Sequence, residues 1–260
     1  MNRITEKFRN LQKDGKKAFI GFITSGDPNL RKTVDFALAL ENAGVDILEL
    51  GVPFSDPVAE GVVIQSASER ALSNGIKIDN IFEMTAELRE RTQIPLLYML
   101  YINSIYVYGK EKFFQNCQRV GVDGVIIPDL PFEEQGEVAE AAARYGVFNI
   151  SLVAPTSKER IAKIAANAEG FIYCVSSGGV TGVRKDFTTD FGEFSEEIRK
   201  HAKVPIAVGF GISDPETAKK LSLYFDGVIM GSAFVRLIAE HGADAAGYIS
   251  ELAKNVRGAL

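Results

Sequence analysis

The sequence predicts a (β/α)8 TIM barrel with an extra N-terminal helix and additional helices. Eight short apolar runs recur along the 260 residues, at 18–23, 47–52, 96–101, 124–128, 148–153, 171–176, 206–209 and 227–230. Each is too short for a core helix, and several are rich in Val and Ile, which favours strands. Helical periodicity fills the gaps, and eight β/α units in a chain of this length match a barrel in count and size. An open doubly wound sheet is the structural alternative. It usually has fewer strands, and no G-x-G-x-x-G follows the first run.

Local signals support the elements in turn. Leu30, Val34, Ala37, Leu38 and Glu41 mark one helical face, and Ile161, Ile164, Ala165 and Ala168 another. Gly44-Val45, Gly121-Val122 and Gly146-Val147 each follow a helical pattern and precede an apolar run. Glycine there suits a left-handed helix end. Ala43-Gly44-Val45-Asp46 resembles Val120-Gly121-Val122-Asp123, a weak internal echo. Ile94-Pro95 and Val204-Pro205 place proline where a strand begins. Thr156-Ser157-Lys158-Glu159 fits a capping box. Ser213-Asp214-Pro215-Glu216 offers a cap and an early proline. The first ~12 residues and the stretch 76–92 read as helices outside the eight units. No low-complexity linker divides the chain, so 1–260 is expected to form one barrel domain.

Composition excludes several function classes. The chain is 46% hydrophobic with a net charge of −5 and no basic block, which argues against nucleic-acid binding. No signal-peptide h-region opens it, and no apolar run approaches the ~20 residues of a membrane span. A cytoplasmic protein is expected. Cys117 and Cys174 sit in apolar surroundings and read as buried thiols. With only His201 and His241 present, a histidine-rich metal site is not expected.

In such a barrel the chemistry lies at the C-terminal strand ends. The polar candidates there are Thr24, Glu49, Asp56, Tyr101, Asn103, Asp129, Tyr173, Ser176 and Thr181. Glu49 stands inside an apolar run, where a charge is costly unless it has a task or a partner. A bland role would pair it with an arginine or with backbone donors. An active role would use apolar neighbours to raise its pKa toward neutrality. Glu60 follows on the next loop, and two carboxylates on one strand–loop unit suit a division of acid and base work. Asp56 and Asp129 adjoin prolines, where turn bonding serves as well as catalysis. Gly209-Phe210-Gly211 and Met230-Gly231-Ser232 end consecutive late strands, where glycine lets backbone N–H groups approach a phosphate. The stretch from Ser176 to Arg184 has the length and glycine content of a loop that closes on substrate. No lysine falls inside a run, which argues against a Schiff-base aldolase.

These residues resemble the alpha subunit of tryptophan synthase over essentially the whole chain. The resemblance rests on Phe22-Ile23-Thr24-Ser25-Gly26-Asp27-Pro28, on Glu49-Leu50-Gly51-Val52-Pro53-Phe54-Ser55-Asp56-Pro57, on Gly179-Val180-Thr181-Gly182 and on the two glycine turns. It implies metal-free cleavage of indole-3-glycerol phosphate to indole and glyceraldehyde 3-phosphate. Glu49 would shuttle protons and Glu60 would hold the indole N–H. Thr181 would bond that carboxylate, and Gly182, Gly211, Gly231 and Ser232 would bind phosphate. Leu100, Tyr101 and Phe210 would line the indole pocket, with Tyr173 near Glu49 and Phe22 also contacting substrate. The resemblance further implies a beta subunit facing Asp56 and Asp129, with pyridoxal phosphate in that partner and no cofactor in this chain.

One departure stands out. The family motif reads Ala-Asp-Gly-Pro, whereas this chain has Ala59-Glu60-Gly61-Val62. Glutamate keeps the charge and adds one methylene. An active lyase in an alpha2beta2 complex, a mainly regulatory phosphate-binding subunit and a free-standing lyase are the three readings.

Overall fold

The computed structural model describes residues 1–175, 190–209 and 211–260. Among them, nine parallel strands form one sheet: β1 (Ala18–Thr24), β2 (Ile47–Gly51), β3 (Leu96–Met99), β4 (Gly124–Ile126), β5 (Phe148–Asn149), β6 (Ser151–Val153), β7 (Ile172–Val175), β8 (Ile206–Gly209) and β9 (Gly227–Met230). Their spatial order is β5-β4-β3-β2-β1-β9-β8-β7-β6. The two ends of that order are the two halves of one apolar run. Phe148 and Asn149 pair with β4, and Ser151 to Val153 pair with β7. The run changes partner at Ile150, and the ring closes through it. The eight expected runs are the eight staves of a (β/α)8 barrel.

Strand alternation makes two apolar layers. Ile20, Phe22, Ile47, Leu97, Met99, Ile126, Tyr173 and Ile229 belong to the layer inside the ring. Phe19, Ile23, Leu48, Leu50, Leu96, Tyr98 and Val208 belong to the layer under the helices. The helix Arg3–Lys13 supplies Ile4, Phe8 and Leu11, one turn apart, to the inner layer. The rings of Phe8 and Phe171 lie 5.5 Å apart, and the helix plugs the N-terminal end of the barrel. Asn2 caps it by accepting from the Ile4 N–H at 3.0 Å.

The internal echo has a structural cause. Asp46, Asp123 and Asp226 each stand just before a strand and reach back to the start of a neighbouring one. Their carboxylates accept from the N–H groups of Phe19, Leu96 and Ile206, each at 2.9 Å. Each carboxylate also meets an arginine: Arg257 on Asp46, Arg3 and Arg89 on Asp123, and Arg199 on Asp226. This ring of latches sits at the N-terminal end, away from the strand ends where chemistry is expected. Gly44, Gly121 and Gly146 before these and the fifth strand all have positive φ, as the helix-end reading requires.

Two local expectations change. Residues 76–92 do form a helix, Ile78–Arg91, but it packs between the helices Leu30–Asn42 and Lys110–Val120 in the outer ring. The supernumerary helix of that unit is Val62–Ser73, which lies against β1 and the helix Ser232–His241. The capping box at 156–159 does not form. Residues Pro155–Ser157 wind into a 3-10 turn that runs into the helix Lys158–Asn167. Thr156, the cap residue of that box, lies inside the 3-10 turn, and the N-cap falls one residue later on Ser157, which makes no side-chain cap bond. The second cap forms as read: Asp214 accepts from the Thr217 N–H at 2.8 Å, with Pro215 opening the helix. Among the described residues no helix is long and apolar enough to cross a membrane.

Candidate active site

Glu49 lies between Leu48 and Leu50 on β2. Both belong to the outer layer, so alternation turns Glu49 into the barrel. Phe22 and Leu97 flank it in register. It is 0% exposed, and neither carboxylate oxygen has a hydrogen-bond partner among the described residues. Among the described residues no arginine or backbone donor neutralises it, which leaves the bland structural role without a partner there. Burial pushes its pKa up to about 8. Tyr173 shares the inner layer. Burial first, and the charge of Glu49 second, hold its phenol well above the ordinary range.

Two glycines make room for the rings here. A Cβ on Gly51 would come within 2.5 Å of the Phe22 ring, and one on Gly209 within 2.5 Å of the Tyr173 hydroxyl. The backbone at these strand ends therefore serves as the floor on which the two aromatics rest.

Glu60 ends the loop that leaves β2, immediately before Gly61 at the start of the helix Val62–Ser73. It is 8% exposed, and its Oε2 has no partner among the described residues. Burial pushes its pKa up to about 7. The loop is gripped from the next strand. The Tyr101 hydroxyl accepts from the N–H groups of Val58 and Ala59 at 3.1 and 3.0 Å, and its ring stacks on Phe54 at 4.9 Å. From the helix side, the Gln65 amide donates to the Glu60 carbonyl at 2.8 Å.

Sequence reasoning missed Gln65. The only signal was a polar amide in the first turn of a helix that starts beside a candidate carboxylate. It also missed the pairing of buried Asp27 with Arg70, bidentate at 2.9 and 2.8 Å, which ties the loop after β1 to the helix behind Glu60. Thr24 and Ser25 at the end of β1 carry buried hydroxyls without partners among the described residues.

The late glycine turns fall where expected. Gly211 follows β8 with φ 82°. Gly231 follows β9 and occupies the N-cap of the helix Ser232–His241, with no side-chain cap. With no side-chain cap, the first-turn N–H groups of that helix are left for another acceptor, and its dipole there favours a negative one. A Cβ on Gly231 would sit 3.1 Å from the Phe22 Cβ, so this turn abuts the ring beside Glu49.

The remaining predicted residues scatter. Leu100 is buried among outer-layer residues. Asp129 is half-buried and accepts from the Ile102 N–H at 3.0 Å, which ties its loop to the first residue of the helix Ile102–Tyr108 and is not a bond within its own turn. Asp56 is exposed on the loop after β2. Thr181, Gly182 and Phe210, and Ser176 with them, lie outside the described residues. Among the described residues no cluster of His, Cys, Asp and Glu has the makings of a metal site.

Comparison with known proteins matches this geometry to a family. The family profile described as tryptophan synthase alpha chain matches residues 8–259. A tryptophan synthase alpha chain of Thermoanaerobacter sp. (strain X514) is 52% identical over 240 residues, 92% of each chain. The structure of tryptophan synthase subunit alpha from Legionella pneumophila str. Paris superposes with a TM-score of 0.89 at 35% identity, covering 100% of this chain and 98% of that one. A chain from the tryptophan synthase a2b2 complex of Pyrococcus furiosus gives a TM-score of 0.83 at 33% identity, covering 93% and 97%. With a profile match and a close relative both spanning nearly its whole length, this chain belongs to the tryptophan synthase alpha chain family.

Proposed function

We propose that the family's reaction, retro-aldol cleavage of indole-3-glycerol phosphate to indole and glyceraldehyde 3-phosphate, runs in this chain on Glu49 and Glu60. The observation that carries this is a pair of buried carboxylates, one in the barrel and one on the adjoining loop, that meet no counter-ion among the described residues and whose pKa values burial pushes up to about 8 and about 7. Both shifts run in the useful direction. Burial brings each carboxyl toward neutrality, where Glu49 in its neutral form can give a proton and Glu60 in its ionised form can hold a cation.

The steps balance. Neutral Glu49 gives its proton to indole C3, and the ring nitrogen takes on positive charge. Ionised Glu60 holds that N–H. The Glu49 carboxylate then takes the proton of the glycerol hydroxyl, whose carbon becomes a carbonyl. The bond from that carbon to indole C3 breaks, and its electron pair returns to the ring. Both products leave with Glu49 protonated again. The chemistry needs neither a metal nor an imine in this chain. Backbone N–H groups at Gly211, Gly231 and Ser232 hold the phosphate together with Gly182, and Phe22, Tyr101, Tyr173 and Phe210 surround the indole.

The P. furiosus relative is described through mutual activation of its a2b2 complex. The same pairing would set a beta subunit, the expected carrier of pyridoxal phosphate, over Asp56 and Asp129 and pass indole to it. Two buried free thiols, Cys117 and Cys174, suit the reducing cytoplasm.

The test is the pH dependence of kcat/KM for indole formation. It should rise through about 7 as Glu60 ionises and fall through about 8 as Glu49 loses its proton. A profile flat from about pH 6 to about pH 9 would remove both assignments.

A further inference from the structure

Glu60 can stabilise the indole cation only if its carboxylate is aimed, and glutamate has one more rotatable bond than the aspartate of the family motif. The main chain around it is held more firmly than a loop this exposed would suggest. Val58, two residues before it, is 71% exposed, yet the backbone from Val58 to Glu60 makes three hydrogen bonds to side chains outside the loop. Both lone pairs of the Tyr101 hydroxyl are spent on consecutive N–H groups, those of Val58 and Ala59. The Gln65 amide fixes the Glu60 carbonyl from the opposite side. Pro53 and Pro57 stiffen the approach. Tyr101 is itself 2% exposed, two residues past the end of β3 at the N-cap of the helix Ile102–Tyr108, so the grip is anchored in the buried rim of the barrel.

We propose that Tyr101 and Gln65 are positioning residues for Glu60, holding the main chain just before it and at its own carbonyl so that the longer side chain holds its carboxylate at the indole nitrogen. The inference rests on the role given to Glu60 above. Neither residue moves a proton. Each acts through the geometry of the carboxylate, where a misplacement of about 1 Å costs roughly a hundredfold in rate.

The experiment compares Tyr101→Phe and Gln65→Met, which keep shape and remove the polar contacts, in the full chain with its beta subunit. Each should lower kcat roughly tenfold to a hundredfold. The dissociation constant for glycerol phosphate should stay within about twofold, and the rising limb of the pH profile should move. In a Glu60→Gln background, followed by single turnover, neither substitution should cost anything more. A kcat within about twofold of the parent in both variants overturns the proposal. So does a loss of the same size with and without Glu60, because the two side chains would then act elsewhere. If Tyr101→Phe melts at assay temperature, Gln65→Met decides alone. Failure of the acid–base reading looks different: Glu49→Gln and Glu60→Gln would then cleave as fast as the parent.

Discussion

Glu49→Gln is expected to abolish indole formation and, in the same molecule, to make the fold more stable at neutral pH. The loss of rate follows from removing a group used first as acid and then as base, worth roughly 10²–10⁴-fold. The gain in stability follows from the sign of its titration. Burial raises the folded pKa from the ordinary 4.5 to about 8. Between those values the folded state keeps a proton that the unfolded state releases, so stability falls as pH rises across that window. At pH 7 the cost is at most about 3 kcal/mol. Glutamine has no proton to lose and escapes it. The melting temperature of the variant should therefore exceed that of the parent by a margin that grows from about pH 5 to about pH 8. A constant difference across that range would mean that Glu49 titrates alike in both states. Catalytic need and folding need pull in opposite directions at this position.

Asp123→Ala should cost about 3–5 kcal/mol of stability while leaving the active-site end untouched. Its carboxylate is 4% exposed and serves three donors: the Leu96 N–H at 2.9 Å, Arg3 at 2.9 Å and Arg89 at 3.3 Å. Arg89 is itself mostly buried, and burial lowers its pKa to about 10. Deleting Asp123 strands that cation and an N–H at the first residue of β3. A loss of this size is a large share of the ~5–15 kcal/mol that typically holds a domain together. The related latches should rank below it, Asp46→Ala and then Asp226→Ala, because their side chains are 13% and 32% exposed. Urea unfolding of the three variants checks the order. Cleavage per folded molecule should stay at the parent value, since all three lie at the N-terminal end. An equal cost for all three would show that burial does not govern these latches.

The barrel was legible because strands buried on both faces read as unbroken apolar runs, and every run proved to be a stave. The change of partner at Ile150 was not legible, because nothing in Phe148-Asn149-Ile150-Ser151 marks where one neighbour yields to the next. Helix 78–91 carried the right period, but only its packing shows that it belongs to the ring and that 62–73 is the added element. Thr156 had the composition of a cap, but the 3-10 turn takes it and moves the helix start one residue on. Glu49 was legible as a carboxylate in an apolar run, and the structure buries it without a counter-ion among the described residues. Spacing alone left Glu60 ambiguous, and its burial separates it from a solvated loop residue. Gln65 and the Asp27–Arg70 tie escaped because their meaning depends on which loop they touch. Asp46 and Asp123 were visible as an echo, while their latch role needed the strand register.

With glutamate at position 60, this chain is expected to perform the alpha reaction. Steady-state formation of indole from indole-3-glycerol phosphate by the purified chain, with and without a beta subunit, tests it most directly. Slow cleavage that rises strongly when the beta subunit is added is the expected result. No indole in either condition, from protein that still binds glycerol phosphate, would contradict it and leave a barrel that binds the substrate's phosphate without breaking its carbon–carbon bond.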